Sequence, residues 1–429
     1  MNKKVAVVSL FSGAGGLDMG FIKEGFHIDV AIELDSIACE TYRANHPNTT
    51  VINYDVTTLT GETIRELIQN KPIIILGGPP CQSWSIMKSE KDGIGGKRGF
   101  DDERGHMILE YVRLCQELQP FAIVFENVEN LVTEHESSFK QFRNLLEKST
   151  GLALDYRVLN ALDFGTGQSR KRCILVGVKR GIPNPFDFLQ RINGPKTLQE
   201  ALQNVPPSEF FRFKKEDAEV MEMIGEGQCW NVLPPQLAYQ KMGKHYRGVC
   251  KKCKTKFQGR NSCPKCGSKD IANQKGVLTS YYRRLSWNKY APTICTVRTT
   301  KAWGTLAHPT EQRGLSIREA ARLQSFPDEY LFYGNIFEQI RQIGNAVPCN
   351  MGQAIAKALK QSFEKMNDAL SKKILKKIIN QPKYHKLLES EKNFVRGVIK
   401  KAKSNQGFSV EERKLLKEIY RKIECSSIK

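Results

Sequence analysis

The sequence predicts a doubly wound α/β fold built on a parallel sheet, and three observations support this prediction. Residues 5–10 form an apolar run that leads into a glycine-rich turn and a helical segment. Residues 73–76 form a second apolar, β-branched run, which ends abruptly in Gly-Gly-Pro-Pro. Residues 28–32 and 51–54 are further strand-like runs, and each is followed by acidic residues. Apolar runs that alternate with helical segments are typical of buried parallel strands joined by crossover helices.

Charge is concentrated in two parts of the chain. The 429 residues are enough for two or more domains, and 66 Lys+Arg against 45 Asp+Glu give a net charge of +21. Residues 244–275 carry 10 basic groups and 1 acidic group, and residues 366–429 carry 17 and 7. Basic patches on a nearly neutral body indicate a polyanionic partner, DNA or RNA, with a solvated charged surface as the alternative.

Several classes of protein are excluded at this stage. The sequence has no apolar span of 18 residues, so we expect no contact with a membrane. Residues 1–11 resemble a short signal peptide but run into a glycine loop without a small-residue cleavage site. Twelve cysteines without a secretory leader indicate a reducing, cytoplasmic compartment, where thiols serve chemistry or metal binding.

The first strand, glycine turn and helix form an arrangement that often holds a nucleotide. Glycines allow a ligand to approach the backbone, and the helix amino terminus offers free N–H groups. The turn at residues 11–18 does not match the full dinucleotide fingerprint. Glu33 ends the second strand, where an acidic group can bind ribose hydroxyls, and Asp55 follows the third strand as a candidate partner for an adenine amino group. The alternative is that both are surface carboxylates.

Cys81 follows the strand at residues 73–76 through two prolines, which lack N–H groups and fix the backbone. The thiol is therefore expected on a rigid turn at the carboxyl edge of the sheet, where open α/β sheets bind ligands. From this motif alone, a reactive and a structural cysteine are equally good interpretations.

Three motifs together resemble those of the DNA (cytosine-5) methyltransferases of bacterial restriction-modification systems. They are Phe-Ser-Gly-Ala-Gly-Gly at 11–16, Gly-Pro-Pro-Cys-Gln at 78–82 and Phe-Glu-Asn-Val at 125–128, and further matching motifs follow to residue 348. The resemblance implies a Rossmann-like domain that uses S-adenosylmethionine. It also implies methylation of carbon 5 of a cytosine flipped out of double-stranded DNA, with a restriction endonuclease acting on the same site as a possible partner.

The resemblance also assigns the reaction to four residues. Cys81 would add to C6 of cytosine, because a thiolate is strongly nucleophilic and the adduct makes C5 able to attack a methyl group. Glu126, after the strand at 121–125, would share a proton with N3. Arg172 would donate to O2 and Arg170 would help to hold the site, and the spacing of Gln168, Arg170 and Arg172 predicts one face of a strand. The alternatives are a helix-terminal acid for Glu126 and a generic basic strand end.

The cofactor pocket implied by the resemblance includes the glycine loop, the ends of the next strands and a late return of the chain. The family usually has a small apolar residue near position 107, which is methionine here. The residues of this pocket are Phe11, Ser12, Gly13, Gly15, Leu17, Glu33, Leu34, Asp55, Val56, Pro79, Met107, Asn345 and Val347.

Two Cys-x-x-Cys knuckles lie outside the family pattern. The first contains Cys250 and Cys253, and the second contains Cys263 and Cys266. Four thiolates suit a tetrahedral Zn²⁺, although the nine intervening residues are fewer than usual. We expect a structural zinc ribbon that contacts DNA. The alternatives are a metal site that only stabilises a long insertion, a redox pair of cysteines, and cysteines unrelated to one another.

The motifs and the composition divide the chain into three parts. Residues 1–182, completed by 330–365, are expected to form the catalytic domain. Residues 183–329 are expected to form the target-recognition domain, with the zinc ribbon at 248–268. Residues 366–429 alternate apolar and basic residues, which predicts a basic helical extension that either binds DNA non-specifically or docks on the body.

The sequence as a whole favours a monomeric DNA methyltransferase over two other functions. A few similar enzymes methylate tRNA, so an RNA (tRNA) cytosine-5 methyltransferase is one alternative. A catalytically inactive DNA-binding regulator is the other, but the catalytic residues of the family are all present.

Overall fold

A computed structural model describes residues 5–80, 106–191, 194–277, 279–296, 306–381, 384, 387–404 and 406–425. Its centre is a seven-stranded sheet in the order β3-β2-β1-β4-β5-β7-β6. The first five strands are parallel, whereas β7 runs antiparallel to both of its neighbours. The seven strands are β1 (Ala6–Leu10), β2 (Ile28–Glu33), β3 (Thr50–Asn53), β4 (Ile73–Gly77), β5 (Ala122–Val128), β6 (Ala153–Asn160) and β7 (Lys171–Val178).

Helices cover both faces of this sheet, which explains why its central strands are mostly apolar. Every residue of β1 and β4 is buried. Because both faces pack against helices, alternation of apolar and polar residues is lost. The helices of the first half of the chain are α1 (Gly16–Lys23), α2 (Ser36–Asn45), α3 (Gly61–Leu67), α4 (His106–Leu118), α5 (Asn130–Thr133) and α6 (Glu136–Thr150). The predicted doubly wound α/β sheet is thus confirmed.

The middle of the chain contains small sheets and short helices. Strand β8 (Phe210–Arg212) pairs with β12 (Arg313–Ser316). A separate antiparallel sheet has the order β10-β9-β11. Its strand β11 (Ile271–Asn273) begins after residue 268, where the sequence analysis ended the zinc ribbon. The remaining elements of this part are α7 (Leu198–Ala201), α8 (Lys215–Glu222), α9 (Pro235–Met242), β9 (Arg247–Cys250), β10 (Lys256–Gln258), β11 (Ile271–Asn273) and α10 (Ile317–Leu323).

The chain then returns to the large sheet and ends in a helical extension. Helix α11 (Ile336–Asn345) precedes α12 (Cys349–Ile379), which is 31 residues long. The first half of α12 packs on the sheet through Met351, Ile355, Leu359 and Phe363, as its helical spacing predicts. The second half packs with α13 (Glu389–Lys403) and α14 (Val410–Cys425) around a hydrophobic cluster of their own. None of the described helices is long and apolar enough to cross a membrane.

Candidate active site and cysteine cluster

The turn between β1 and α1 has a backbone that requires glycine. Gly13 and Gly15 have φ angles of +53° and +79°, and Phe11, at +54°, is also left-handed. The Ser12 amide donates to the Ile32 carbonyl, which fixes the turn against β2. A Cβ atom built on Gly13 would meet no atom within 4 Å, so space is open in front of the loop. The loop therefore has the shape of a cradle at the carboxyl edge of the sheet.

Glu33 lies beside this cradle. Its carboxylate accepts hydrogen bonds from the amides of Gly13, at 2.8 Å, and Asp35, at 2.9 Å. Burial raises the pKa of Glu33, and these amide hydrogen bonds oppose that rise. Next to it, the Leu34 side chain is 66% exposed. An acceptor and an apolar surface are thus available side by side at the end of β2.

The other predicted pocket residues are distributed around the same edge. Asp55 caps the following 3₁₀ turn by accepting from the Thr57 amide. The side chains of Val56 and Leu17 lie in the core, and Met107 packs partly buried against it. The sequence did not distinguish these packed side chains from those that face the open space.

The segment after α10 closes the back of the glycine loop. A Cβ atom on Gly16 would lie 2.5 Å from the Val347 carbonyl oxygen, so these two backbones are in direct contact. The Tyr330 hydroxyl donates to the Ala14 carbonyl and lies 2.9 Å from His46 Nε2. Asn345 is exposed at the same return. The late motif is thereby brought against the glycine loop between β1 and α1.

At the end of β4 the chain approaches the end of β5. The Asn127 side-chain amide donates to the Pro79 carbonyl at 3.1 Å. A Cβ atom on Gly78 would lie 3.0 Å from Glu126 Oε2. Cys81, the predicted nucleophile, lies outside the described residues. The chain that leads into Cys81 is therefore fixed beside the Glu126 carboxyl group.

Glu126 forms a buried ion pair with Arg172, with Oε1 and Nε 3.0 Å apart. Burial raises the pKa of the Glu126 carboxyl group, while Arg172 and then Arg170 act to lower it. A carboxyl group under opposing influences of this kind is suited to holding or sharing a proton.

Arg170 and Arg172 act in different places. Strand β7 begins at Lys171, so Gln168 and Arg170 precede it, although their side chains do point to the same interior. The Arg170 guanidinium donates to the carbonyls of Ile294, at 3.3 Å, and Gly344, at 2.8 Å. Arg170 thus connects three distant segments, while Arg172 forms an ion pair with Glu126.

The four cysteines of the two knuckles lie together. Their sulfur atoms are all within 4.8 Å of one another. Cys250 and Cys266 are 3.6 Å apart, and Cys253 and Cys263 are 3.5 Å apart. A hydrogen bond with the Thr255 side chain is the main cause that lowers the pKa of Cys253, to about 6. Within the described residues this is a preformed tetrathiol group.

Comparison with known proteins identifies the family. Residues 5–361 match the C-5 cytosine-specific DNA methylase family. The chain belongs to this family. The Type II methyltransferase M.Sau96I of Staphylococcus aureus is 32% identical over 371 residues, which are 85% of this chain and 78% of that protein. M.Eco47II of Escherichia coli is 30% identical over 376 residues, covering 85% and 81%.

A solved structure supports the fold of this cytosine-5 methyltransferase. The Spodoptera frugiperda DNMT2 mutant aligns with a TM-score of 0.55 at 17% identity, over 84% of this chain and 99% of that one. The enzyme is therefore a DNA (cytosine-5)-methyltransferase with the family's α/β fold, and the family uses S-adenosylmethionine. The family match ends at residue 361, so it leaves out the whole helical extension at 366–429.

Sequence reasoning missed one buried polar group in this methyltransferase. The Gln168 side chain donates to Gln324 Oε1 at 3.0 Å and accepts from the Ile294 amide at 2.7 Å. Gln324 in turn donates to the Ile343 carbonyl at 2.7 Å, and both glutamines are fully buried. Gln324 lies in an ordinary helix-end sequence with no local signal, so only the three-dimensional contacts identify it.

Proposed function

We propose that this enzyme methylates one cytosine of a specific duplex DNA sequence through a covalent bond between Cys81 and C6. The observation that carries the proposal is the Glu126–Arg172 pair beside the anchored Gly78–Pro79 segment. The segment that leads to Cys81, the Glu126 carboxyl group and the Arg172 guanidinium therefore lie at one edge of the sheet. Nucleophilic addition to the cytosine ring needs these three groups together.

The residues have separate tasks in the proposed reaction. The Cys81 thiolate forms a bond to C6, and the electrons of the C5–C6 double bond become available at C5. Glu126 donates a hydrogen bond or a proton to N3, and Arg172 donates to O2, so that the ring accepts the added electron pair. C5 takes the methyl group as the bond from that methyl to the sulfonium sulfur breaks, which leaves a neutral thioether. A base then removes the C5 proton, and the bond between Cys81 and C6 breaks to release the thiolate. The ring double bond is thereby restored.

The pocket residues suit S-adenosylmethionine. The open space before Gly13 suits a group that contacts the loop backbone, and Glu33 is an acceptor for ribose hydroxyls. The exposed Leu34 offers an apolar surface for the adenine ring, and Asp55 lies at the end of the neighbouring strand. The cofactor supplies an electrophilic methyl group on a sulfonium. We assign to its pocket the loop 11–17, the ends of β2 to β4, Met107, Asn345 and Val347.

The tetrathiol group is proposed to hold a structural Zn²⁺ in a ribbon. Zinc–sulfur bonds of about 2.3 Å in a tetrahedron put neighbouring sulfurs about 3.8 Å apart. The two short pairs, at 3.5 and 3.6 Å, are close to that edge length. The basic residues around the cluster suit contact with the DNA backbone.

The domain limits and the biological setting are also proposals. We assign residues 1–182 with 330–365 to catalysis, 183–329 to target recognition and 366–429 to a basic extension. The relatives are named Type II methyltransferases, which supports a role in protecting DNA from an endonuclease of the same specificity. We propose that the enzyme acts as a monomer in the cytoplasm.

Bisulfite sequencing of plasmid DNA from cells that express the protein tests this function. We expect protected cytosines in one short motif for the wild type and none for Cys81→Ser, which should still bind S-adenosylmethionine. Cys115→Ala is the matched control, because Cys115 is buried in the core of α4 and should leave methylation intact. Methylation by Cys81→Ser would refute the covalent mechanism. Methylation of tRNA but not plasmid DNA by purified wild-type protein would refute the proposed substrate.

A further inference from the structure

The tetrathiol group is part of the core of the middle region. Cys250 and Cys263 are 0% and 2% exposed, and they belong to one hydrophobic cluster with Trp230, Tyr246 and Met221. The cluster extends from α8 through the ribbon sheet to Tyr282 and Ala307. Cys250 and Cys263 are therefore packed against side chains from both sides of the ribbon insertion.

Polar contacts connect the ribbon sheet to the same core. The Tyr246 hydroxyl donates to Asn273 Oδ1 at 3.1 Å. The Asn273 amide donates in turn to the carbonyls of Asn231, at 3.1 Å, and Leu233, at 2.7 Å. The Trp230 and Tyr246 rings meet edge to face, 5.9 Å apart. Movement of β9 or β11 would therefore disturb these contacts on the other side of the cluster.

The cluster is also connected to the chain that returns to the catalytic domain. Arg284 is 3% exposed and donates to the carbonyls of Met221, at 3.0 Å, and His308, at 3.0 Å. It joins α8 to the segment just before β12. By contrast, the two clusters that build the large sheet and its cofactor loop contain no residue of the ribbon.

Regular structure in this region is too short to be stable alone. Helices α8 and α9 have eight residues each, and the ribbon strands have three or four. Small units of this kind usually need a disulfide or a metal to remain folded. The four cysteine sulfurs lie within 4.8 Å of one another, so a single metal ion bound by all four would link β9 to both knuckles.

We infer that zinc at these four cysteines organises the DNA-reading domain of the enzyme, whereas the cofactor domain folds without it. Metal occupancy would then control target binding and leave S-adenosylmethionine binding unchanged. This inference rests on the zinc site proposed above. It adds a role in DNA binding that a metal which only stabilised a peripheral insertion would not have.

Cys266→Ser separates the effect of the metal from the effect of packing. Cys266 is exposed, so its substitution removes a ligand without opening a cavity in the cluster. Cys229→Ala is the matched control, because Cys229 is buried in the same cluster but is not among the four. The zinc content of the full-length protein is measured by mass spectrometry, and its S-adenosylmethionine binding by calorimetry. Its binding to an unmethylated duplex that carries the motif identified by bisulfite sequencing is measured by fluorescence anisotropy.

We expect Cys266→Ser to contain no zinc and to lose specific DNA affinity by about 10³-fold or more, down to the non-specific level. Its affinity for S-adenosylmethionine should stay within about twofold, since the cofactor domain has its own core. Cys229→Ala should keep zinc and both affinities. Chelation of the wild type should reproduce the loss, and added Zn²⁺ should reverse it.

Each contrary result has a different meaning. Zinc-free Cys266→Ser with wild-type DNA affinity would overturn the inference but leave the zinc site in place. Loss of S-adenosylmethionine binding together with DNA binding would overturn the separation of the two domains. Wild-type protein that is purified without zinc and is indifferent to chelators would overturn the zinc site itself, without affecting the assignment of Cys81.

Discussion

At the scale of single residues, the reactive edge contains a carboxyl group under two opposing influences. Burial raises the pKa of Glu126, and the neighbouring Arg172 lowers it. Burial favours the neutral form of this carboxyl group, whereas the Arg172 guanidinium favours the ionised form. Both influences act on Glu126 beside the Gly78–Pro79 segment.

A second buried carboxyl group, Asp18, lies under the cofactor loop. It accepts hydrogen bonds from the Ser9 hydroxyl, at 2.9 Å, and the Tyr42 hydroxyl, at 2.8 Å. Burial raises its pKa from 3.8 to about 6, and the two hydroxyl groups limit that rise. Between these two pH values the folded protein holds a proton that the unfolded chain has lost. The free energy of unfolding should therefore fall as the pH rises through this window.

Asp18→Asn should remove this pH dependence, because an amide keeps an acceptor and has no ionisation. A pKa rise from 3.8 to about 6 corresponds to about 3 kcal/mol at most. We expect the melting temperature of the variant, relative to wild type, to increase between pH 4 and pH 7. Asp187→Asn removes the same charge from an exposed position and serves as the control. An Asp18→Asn difference that is the same at both pH values would refute the argument.

At the scale of elements, the turn from β1 to α1 combines an unusual backbone with close packing. A Cβ atom on Gly15 would lie 3.0 Å from atoms of His46, Tyr330 and Tyr42. Gly25, after α1, has a similar φ angle of +83°, but a Cβ atom there would meet nothing within 4 Å. The two glycines share the conformational requirement and differ only in their surroundings.

Gly15→Ala and Gly25→Ala can therefore separate these two effects. Both should lose about 1–2 kcal/mol of stability from the left-handed backbone. Gly15→Ala should also weaken S-adenosylmethionine binding by at least about tenfold, because the loop must move away from the three rings. Calorimetric titration of the two variants measures this. Equal cofactor affinity in both would mean that the packing behind the loop does not position it.

The elements that the sequence predicted best are those with strong local signals. The apolar run at 73–76 identified β4, and the glycine turn identified the start of α1. These features depend on neighbouring residues, which is why a single sequence reveals them. Strand β11 has three residues and its partner, β9, lies 21 residues earlier, so its local signal was too weak.

The parts of the candidate site that escaped prediction depend on long-range contacts. Arg170 meets Ile294 and Gly344, which are 124 and 174 residues away along the chain. The Gln168–Gln324 contact spans 156 residues. No periodicity or spacing encodes such pairs, because they arise only when the recognition region folds back onto the sheet. The resemblance pointed to Glu126, Arg170 and Arg172 but not to the partners that hold them.

At the scale of the whole molecule, α12 spans the distance between the cofactor loop and the far edge of the sheet. Its start follows Val347, whose carbonyl meets Gly16. Fourteen residues later, the Phe363 ring contacts Phe121, just before the start of β5, with centroids 5.0 Å apart. Fourteen helical residues span about 21 Å. The helical extension therefore lies at the sheet edge opposite to the reactive one.

From this position we expect the basic extension to contact DNA away from the target site. Lys373 and Lys376 of the extension are exposed on α12, and so is Lys365, one residue before the extension begins. Because they lie about 20 Å or more beyond the cofactor loop, we expect them to contact DNA outside the bound target segment. Such contacts would increase non-specific affinity and would weaken as salt rises.

Replacing these three lysines with glutamine should lower affinity for duplex DNA that lacks the target motif. The slope of log affinity against log salt should become shallower by up to about 3, since each phosphate contact contributes about 0.9. Fluorescence anisotropy at several salt concentrations measures both quantities. Lys140, Lys148 and Lys179 are also exposed and lie outside the extension, so their triple glutamine variant changes the net charge equally. If both triple variants behave alike, the extension contributes only net charge; if neither differs from wild type, it does not bind DNA.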